Sequence, residues 1–349
     1  MGCFLREAPH FYHMIVILDY PERRATPQDP FDGSYSADIQ SLFDDSALEQ
    51  PEFFCVFEKQ MEEHFIKDSS STAYDPSKVN VFDILGSDLP KYEGGWVKPE
   101  FMPRIEDMCA KIKERKPNAV IAMGKIAFWA VTSGARLTDH RGTPYFSETL
   151  GTKVLGTSGL SAFTKDWSLR SIVIADINKA CEHNKFEGFR EKEREVNIID
   201  DPLRDIPKLR SALTDFIAVD VETEASQITC LSLSPSENVS YVIPFWNKSK
   251  QGYHQFPEDV EELLWKFLFE LLADPKIRKV FHNSLYDLSY FRHHGIPTLG
   301  TIEDTMLMHH SLSPEMQKSL GFLGSLYCDV SAWKTLNKKT KKSINKKDA

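Results

Sequence analysis

Long apolar runs are missing from this sequence. The longest, such as the one around Ala119 to Met123, fall far short of the ~20 residues needed to cross a bilayer, so no membrane span is expected. The N-terminus lacks a basic segment followed by an apolar core and a small-residue cleavage site, which argues against a secretory signal and for a cytoplasmic protein. Met1-Gly2-Cys3 stands where N-myristoylation begins, but Arg6 replaces the Ser or Thr that signal wants. The cysteines (Cys3, Cys55, Cys109, Cys181, Cys230 and Cys328) include no Cys-x-x-Cys pair, which removes zinc ribbons and iron–sulfur clusters and leaves scattered reduced thiols. A basic excess is missing too. Lys and Arg number 42 against 51 Asp and Glu, a net charge of −9, whereas a nucleic-acid coat protein neutralises phosphates with cations. That balance leaves room for an enzyme that holds metal ions in carboxylates.

What is present is globular: 41% hydrophobic and 27% charged over 349 residues, enough for two domains at roughly 100–200 residues each. No repeat is apparent. His13 to Asp19 is an apolar run closed by Asp-Tyr-Pro, a buried strand entering a loop. Val79 to Leu85 reads as a strand, Met102 to Arg115 as a helix, Ala119 to Gly124 as a compact strand ending on Gly, and Ser171 to Ile177 (SIVIADI) as a further strand. Strands alternating with helices predict an α/β domain with a largely parallel sheet. From Glu182 to Lys208 the chain turns charged and Pro-bearing, which predicts a first domain over 1–190, a linker at 191–207 and a second domain over 208–349.

The second domain opens with three predicted strands, Phe216–Glu222, Gln227–Leu233 and Ser240–Phe245. A helix at Asp259–Leu272, a strand at Lys279–His282 and a helix at Leu285–His293 follow. That order is RNase H-like. Asp220 and Glu222 lie at i and i+2 in one strand, so both project to one face. Two adjacent acids repel, and a shared divalent cation is a natural remedy; the bland reading is two surface acids at a strand end. In His282-Asn283-Ser284-Leu285-Tyr286-Asp287, Asn283 and Asp287 are four apart on one helix face. Asp287 could then reach a metal while Asn283 secures the turn or a substrate phosphate. Asp304, in EDTM, reads as a helix N-cap. Seven lysines and no acid lie between Lys334 and Lys347, a solvated tail or a phosphate contact.

On DVET (Asp220 to Thr223), HNSLYD and EDTM at their mutual spacings, residues 208–349 resemble the 3′ to 5′ proofreading exonuclease domain of family A DNA polymerases, a branch of the DEDD exonucleases. The resemblance implies two Mg²⁺ or Mn²⁺ ions held by four carboxylates, with Asp220, Glu222 and Asp287 as three of them. It also implies substrate contacts at Thr223, His282 and Asn283. The fourth carboxylate belongs to a Tyr-x-x-x-Asp motif. Ser343-Ile344-Asn345-Lys346-Lys347-Asp348-Ala349 is similar to its phage version, with Ile344 at the tyrosine and Asp348 as the fourth ligand. Leu320 to Lys334 resembles the preceding phage segment, and Tyr327 lacks the required aspartate because Ser331 stands there. The family continues into a polymerase, so an N-terminal, C-terminally truncated piece is expected. Its expected partners are single-stranded DNA or a primer 3′ end, and a polymerase module in the same or a separate chain. If phage-encoded, it would work in a bacterial cytoplasm.

Residues 13 to about 185 resemble the uracil-DNA glycosylase-like domain that precedes this exonuclease in some phage-type polymerases. Ile17 to Glu22 stands at the Gly-Glu-Ala-Pro-Gly loop, Pro30-Phe31-Asp32-Gly33 at the Pro-Phe-x-Gly that stacks a base, and Asn80 at the asparagine that reads uracil. Lys116-Pro117 through Gly124, then Arg141-Gly142, follow the family's order. The family's Thr-x-His-Pro-Ser segment is here Thr157-Ser158-Gly159-Leu160-Ser161. Glycine cannot stabilise a departing uracil anion, help commonly worth ~3 kcal/mol or more. A degenerate, non-excising domain is therefore expected, with Phe31 and Asn80 still able to bind a base. The competing reading of the whole chain is a non-catalytic DNA-binding or replisome scaffold.

Overall fold

The computed structural model describes residues 13–21, 30, 36–49, 51–58, 91–92, 95–96, 101–163, 165–190, 192–250, 252 and 254–332. Two compact units emerge, Met1–Arg190 with Gly321–Ala349, and Glu191–Leu320. Both are mixed α/β.

In chain order the first unit holds β1 (Ile15–Leu18), α1 (Ser36–Asp44), β2 (Glu52–Cys55), β3 (Lys91–Tyr92), β4 (Gly95–Trp96), α2 (Met102–Glu114) and β5 (Ala119–Met123). Then come α3 (Lys125–Val131), α4 (Leu137–His140), β6 (Pro144–Ser147), β7 (Thr152–Thr157), α5 (Leu160–Phe163) and α6 (Arg170–Asn184). Its main sheet has the order β2-β1-β5-β7-β6. All neighbours are parallel except β6, which runs antiparallel at the edge. Parallel strands buried on both faces read as continuous apolar runs, and IVIL and AVIAM are buried at every position. Alternate residues serve opposite cores. Ile15, Ile17, Val120 and Ala122 pack with Ile105, Met108 and Ile112 of α2 and Phe128 of α3. Val16, Leu18, Ile121 and Met123 pack with Leu42 of α1 and Val173, Ile177 and Ala180 of α6.

One expectation fails inside this unit. Ser171–Ile177 is part of helix α6 rather than a strand. A short apolar run fits a buried helix or a buried strand equally well. The helical spacing shows only over the longer stretch, in which Ile172, Val173, Asp176, Ile177, Ala180, His183 and Asn184 are the buried positions. The expected strand at Val79–Leu85 lies outside the described residues.

The second unit begins inside the segment expected as a linker. Residues 191–207 contain β8 (Glu195–Ile198) and the start of α7 (Pro202–Ala212). Asp201 caps α7 by accepting from Arg204 N, and Pro202 occupies the first turn, where its missing N–H costs nothing. The charged composition that suggested a linker reflects an exposed edge strand, with Glu195, Val196 and Ile198 all open to solvent. Next come β9 (Phe216–Glu224), β10 (Gln227–Ser234), β11 (Val239–Pro244), α8 (Glu258–Ala273), β12 (Arg278–Phe281), α9 (Ser284–His293), β13 (Ile302–Asp304) and α10 (Thr305–Leu312). The expected strands and helices of this half all form. The six-stranded sheet has the order β13-β12-β9-β10-β11-β8. Its β9–β10–β11 meander is antiparallel, and β12, β13 and β8 join in parallel. Ile217, Val219 and Val221 of β9 bury one face against Leu264, Leu268 and Leu271 of α8 and Phe291 of α9.

Helix α11 (Leu320–Tyr327) follows, and the described residues after Leu320 group with the first unit. Among the described residues no helix is long and apolar enough to cross a membrane.

Candidate active site

The alternation along β9 decides where its acids point. Ile217, Val219 and Val221 face the core, so Asp220 and Glu222 share the other, solvent-facing side. Opposite them on β10, Asp220 pairs with Ser232 and Glu222 with Cys230, and a register shift follows between Cys230 and Ile228. Burial pushes the Cys230 thiol up, and the charges of Glu222 and Asp220 add to that effect. Thr229 Oγ1 donates to Glu222 O at 3.0 Å, tying β10 to the strand end that carries the acids.

The third carboxylate comes from α9, and its position depends on a left-handed residue. Asn283 has φ 70° and ψ 54°, a region that asparagine tolerates better than most side chains. This turn lets the chain leave β12 and start α9 at once. Asp304 secures it: Oδ1 accepts from Asn283 N at 3.1 Å, and Oδ2 from Ser284 N at 2.7 Å. The same carboxylate caps α10, accepting from Met306 N at 2.9 Å and Leu307 N at 3.3 Å. Burial alone would raise the Asp304 carboxyl. The surrounding N–H donors of Ser284, Asn283 and Leu307 outweigh burial and hold it below its usual range. The expected N-cap is thus present, and it binds two helix starts rather than one.

Asp287, one turn into α9, is 3% exposed. Its Oδ1 accepts from Val221 N at 3.0 Å, in the middle of the Asp220–Glu222 pair. Burial pushes its carboxyl up to about 6; the Val221 N–H opposes this, and the Asp220 charge reinforces it. His282 Nδ1 lies 2.9 Å from Thr305 Oγ1. That hydroxyl gives its one proton to Phe281 O at 3.0 Å, which puts the imidazole proton on Nδ1. Asn283 makes no side-chain cap bond and acts through its backbone.

The structure therefore sets Asp220, Glu222 and Thr223 on one strand, with Asp287 bonded to Val221 N between the two acids and Tyr286 bonded to Thr223. It sets His282 and Asn283 at the entry to α9. Asp348, Phe31 and Asn80 lie outside the described residues. Carboxylate oxygens of this kind suit a hard divalent cation, and mutual repulsion between Asp220 and Asp287 is what such an ion would relieve. Among the described residues, however, no group of three His, Cys, Asp or Glu side chains is gathered closely enough to hold a metal. Sequence reasoning passed over Tyr286, whose hydroxyl hydrogen-bonds Thr223 Oγ1 and whose ring lies 5.1 Å from that of Tyr290. Its place directly before Asp287 was the available signal.

The first unit has a second place of interest. Its strand order reverses direction between β1 and β5, and open parallel sheets bind ligands in the crevice at such a point. Asp19 follows β1, and its Oδ1 accepts from Ala127 N at 2.7 Å. Gly124, after β5, has φ 115°, and a Cβ there would fall 2.3 Å from the Asp19 carboxylate. Gly159, after β7, packs so closely that a Cβ would sit 3.0 Å from Gly124 Cα.

Residues 200–349 match the 3′–5′ exonuclease family. No curated protein matches the sequence. Among solved structures, the chain is similar to Brucella melitensis NrnC bound to pGG at 20% identity and a TM-score of 0.29, covering 40% of this chain and 63% of that one. It is also similar to the EXD2 exonuclease domain soaked in Mn and GMP, at 19% identity and a TM-score of 0.26 over 38% and 68% of the two chains. A third likeness is to Trypanosoma brucei RNase D in complex with RNA U12, at 17% identity and a TM-score of 0.33 over 42% and 51%. The chain thus spans less than two thirds of the length of NrnC.

Proposed function

We propose that residues 208–349 act as a DEDD 3′ to 5′ exonuclease, the proofreading portion of a phage-like family A DNA polymerase, hydrolysing DNA from its 3′ end with Mg²⁺ or Mn²⁺. One observation carries this reading. Two acids project together from the open face of β9, a third is buried beside them with a raised carboxyl, and all three lie in the segment that matches the exonuclease family. Two bound divalent cations would supply Lewis-acid activation of water and charge neutralisation at the leaving oxygen.

The chain's own side chains do the rest. Asp220 and Glu222 would hold the ions from the strand, Asp287 from the helix opposite, and Asp348 would complete the set. With a carboxyl near 6, Asp287 is ionised at neutral pH and ready to ligate. Thr223, His282 and Asn283 would contact the terminal nucleotides, with Thr223 oriented by the Tyr286 hydroxyl. Ile344 at the tyrosine position supplies no hydroxyl to orient the attacking water, which would slow the step without removing the ligands.

A scaffold that binds DNA without cleaving it is the second reading, favoured by the absence of a three-donor cluster among the described residues. Degradation of a 5′-labelled single strand in Mg²⁺ or Mn²⁺ separates the two. The nuclease reading expects a ladder shortening from the 3′ end, reduced roughly 1000-fold in Asp220→Ala and Asp348→Asn, the equivalent of ~4 kcal/mol of lost transition-state stabilisation. An inert wild type that also fails to bind Mn²⁺ supports the scaffold.

For the first unit we infer a degenerate glycosylase-like role: docking of uracil-containing or single-stranded DNA by Phe31 and Asn80, without excision. The side-chain-free, tightly packed Gly159 supports it. Release of uracil from uracil-containing DNA by the wild-type chain would overturn it.

A further inference from the structure

The row of acids on the open face of β9 does not stop at Glu222. Glu224 continues it two residues, or ~7 Å, further along the strand. It is the last residue before the turn into β10, pairing with Gln227 across Ala225 and Ser226, which are both left-handed at φ 50° and 63°. Its carboxylate meets a cation from the chain that follows β11. Lys248 Nζ donates to Glu224 Oε1 at 2.9 Å and lies 2.8 Å from Oε2.

The register shift in β10 brings that lysine there. Thr229 stands between Ile228 and Cys230, where the pairing with β9 slips, and its carbonyl accepts from Phe245 N at 2.9 Å and Trp246 N at 3.1 Å. The chain leaving β11 is thereby kept beside the strand end that carries the acids, the kind of re-aiming for which bulges recur next to sites. Beyond it the chain turns back. Asn247 Oδ1 accepts from Ser249 N at 3.0 Å and from Ser249 Oγ at 2.6 Å, a side-chain turn that spans Lys248. Asn247 Nδ2 donates to Gln255 Oε1 at 2.9 Å, Gln255 N donates to Phe245 O at 2.8 Å, and Lys250 Nζ is spent on Gln255 O at 2.6 Å. Phe245 in turn stacks on Trp265 of α8, with ring centres 4.4 Å apart. The backbone on either side of Lys248 is therefore fixed, whereas its side chain is 68% exposed and reaches a carboxylate that is 54% exposed.

An ion pair this open to water contributes little to folding, because attraction, desolvation and side-chain entropy nearly cancel. For the same reason its partners exchange at small cost. A lysine ammonium is a point charge with rotatable donors on a flexible stem, suited to a phosphate as well as to a carboxylate. A strand that approaches Asp220 and Glu222 brings phosphates toward a row of like charges. In the proposed chemistry bound cations neutralise the first two acids, and Lys248 stands beside the third. We propose that Lys248 binds a backbone phosphate of the substrate strand, with Glu224 as the internal competitor that holds the ammonium in the free protein and is displaced in the complex. Contact to a phosphate carries no sequence information, as removal of successive nucleotides requires. This inference rests on reading Asp220, Glu222 and Asp287 as the nuclease site.

The test uses the full chain and two readouts: anisotropy of fluorescent oligo(dT) in EDTA at several salt concentrations, and kcat and KM on the same strand with Mn²⁺. Lys248→Gln is expected to weaken binding about fivefold at roughly 0.1 M salt and to lower the salt slope by ~0.7, as for one lost single-strand phosphate contact. It is expected to raise KM by a similar factor while kcat stays within about twofold. Lys248→Arg is expected to keep wild-type binding. Glu224→Gln, which removes the competitor, is expected to tighten binding about threefold. The control is Lys276→Gln, the same loss of charge on an exposed residue before β12, at the Phe216 end of the sheet and more than a Debye length from Glu224; it is expected to leave binding unchanged. Binding weakened alike by Lys248→Gln and Glu224→Gln means that the pair only shapes the turn, and it overturns the proposal, as does a Lys248→Gln effect no larger than that of Lys276→Gln. Should Lys248→Gln not fold, the sign of the Glu224→Gln effect decides: tightening supports the exchange, and weakening or no change overturns it. A wild type that binds with these opposed effects but does not cleave overturns the nuclease reading and leaves the phosphate contact standing, whereas one that cleaves without them overturns the contact alone. A wild type that neither binds nor cleaves overturns both.

Discussion

Asp304 and Asp287 show how two carboxylates on neighbouring elements acquire opposite tasks. Asp304 receives N–H donors from the starts of two helices and is held below its usual range. Its stabilisation is complete above the unfolded carboxyl value of about 3.9 and is lost as pH falls through the lower folded value. Asp304→Asn, which keeps a single acceptor oxygen, should cost roughly 2 kcal/mol in chemical denaturation at pH 7. Asp287 runs the other way. Its folded value is raised to about 6, so the folded state loses stability as pH rises from about 4 to 6. Asp287→Asn keeps an acceptor for Val221 N and removes that penalty. It should stabilise the metal-free protein by roughly 1 kcal/mol at pH 7, after allowance for solvent screening, while abolishing nuclease activity. Mn²⁺ affinity of the wild type should fall as pH drops below about 6, where a proton competes for the Asp287 carboxylate; isothermal titration between pH 5 and 8 measures it.

At the scale of elements, the sequence was most readable where one strand or helix settles its own residues. The alternation that buries Ile217, Val219 and Val221 and exposes Asp220 and Glu222 is a local pattern, and it was legible. The bond from Asp287 to Val221 N joins residues 66 apart, and no local pattern announces it. The double use of Asp304 is of the same kind. SIVIADI misled because burial on all sides erases the difference between strand and helix periods over a short window. The charged segment before Pro202 misled because an edge strand exposed to solvent need not alternate. Close backbone approach was also invisible. The Asp19 carboxylate leaves no room for a side chain at Gly124, so Gly124→Ala should cost roughly 2–4 kcal/mol through strain and overpacking. Gly159→His should likewise destabilise the first unit and should not confer uracil release, because its Cβ already presses on Gly124; thermal melts and a glycosylase assay on the purified variant check both.

For the molecule as a whole, the charge balance becomes informative only when it is divided. A chain of net charge −9 carries a lysine-rich stretch with no acid from Lys334 to Lys347. If that run tracks a DNA backbone, replacing Lys338, Lys339, Lys341 and Lys342 with Gln should weaken single-strand binding and flatten its salt dependence by about 0.7 per lost phosphate contact. Fluorescence anisotropy at several salt concentrations measures it, and an unchanged slope assigns the run to solvent. The bonds from α6 to the α11 segment and the pairing of β8 also bear on where this protein can be divided. A cut at residue 200, where the family match begins, would remove β8 and open the β11 edge it pairs with, a ready template for intermolecular strand pairing. The fragment would also separate α11 from Lys179, which donates to Ser325 O and Cys328 O. Dissection by homology would therefore yield aggregation-prone material, whereas a fragment of the second unit that begins at residue 191 would keep β8 and its sheet.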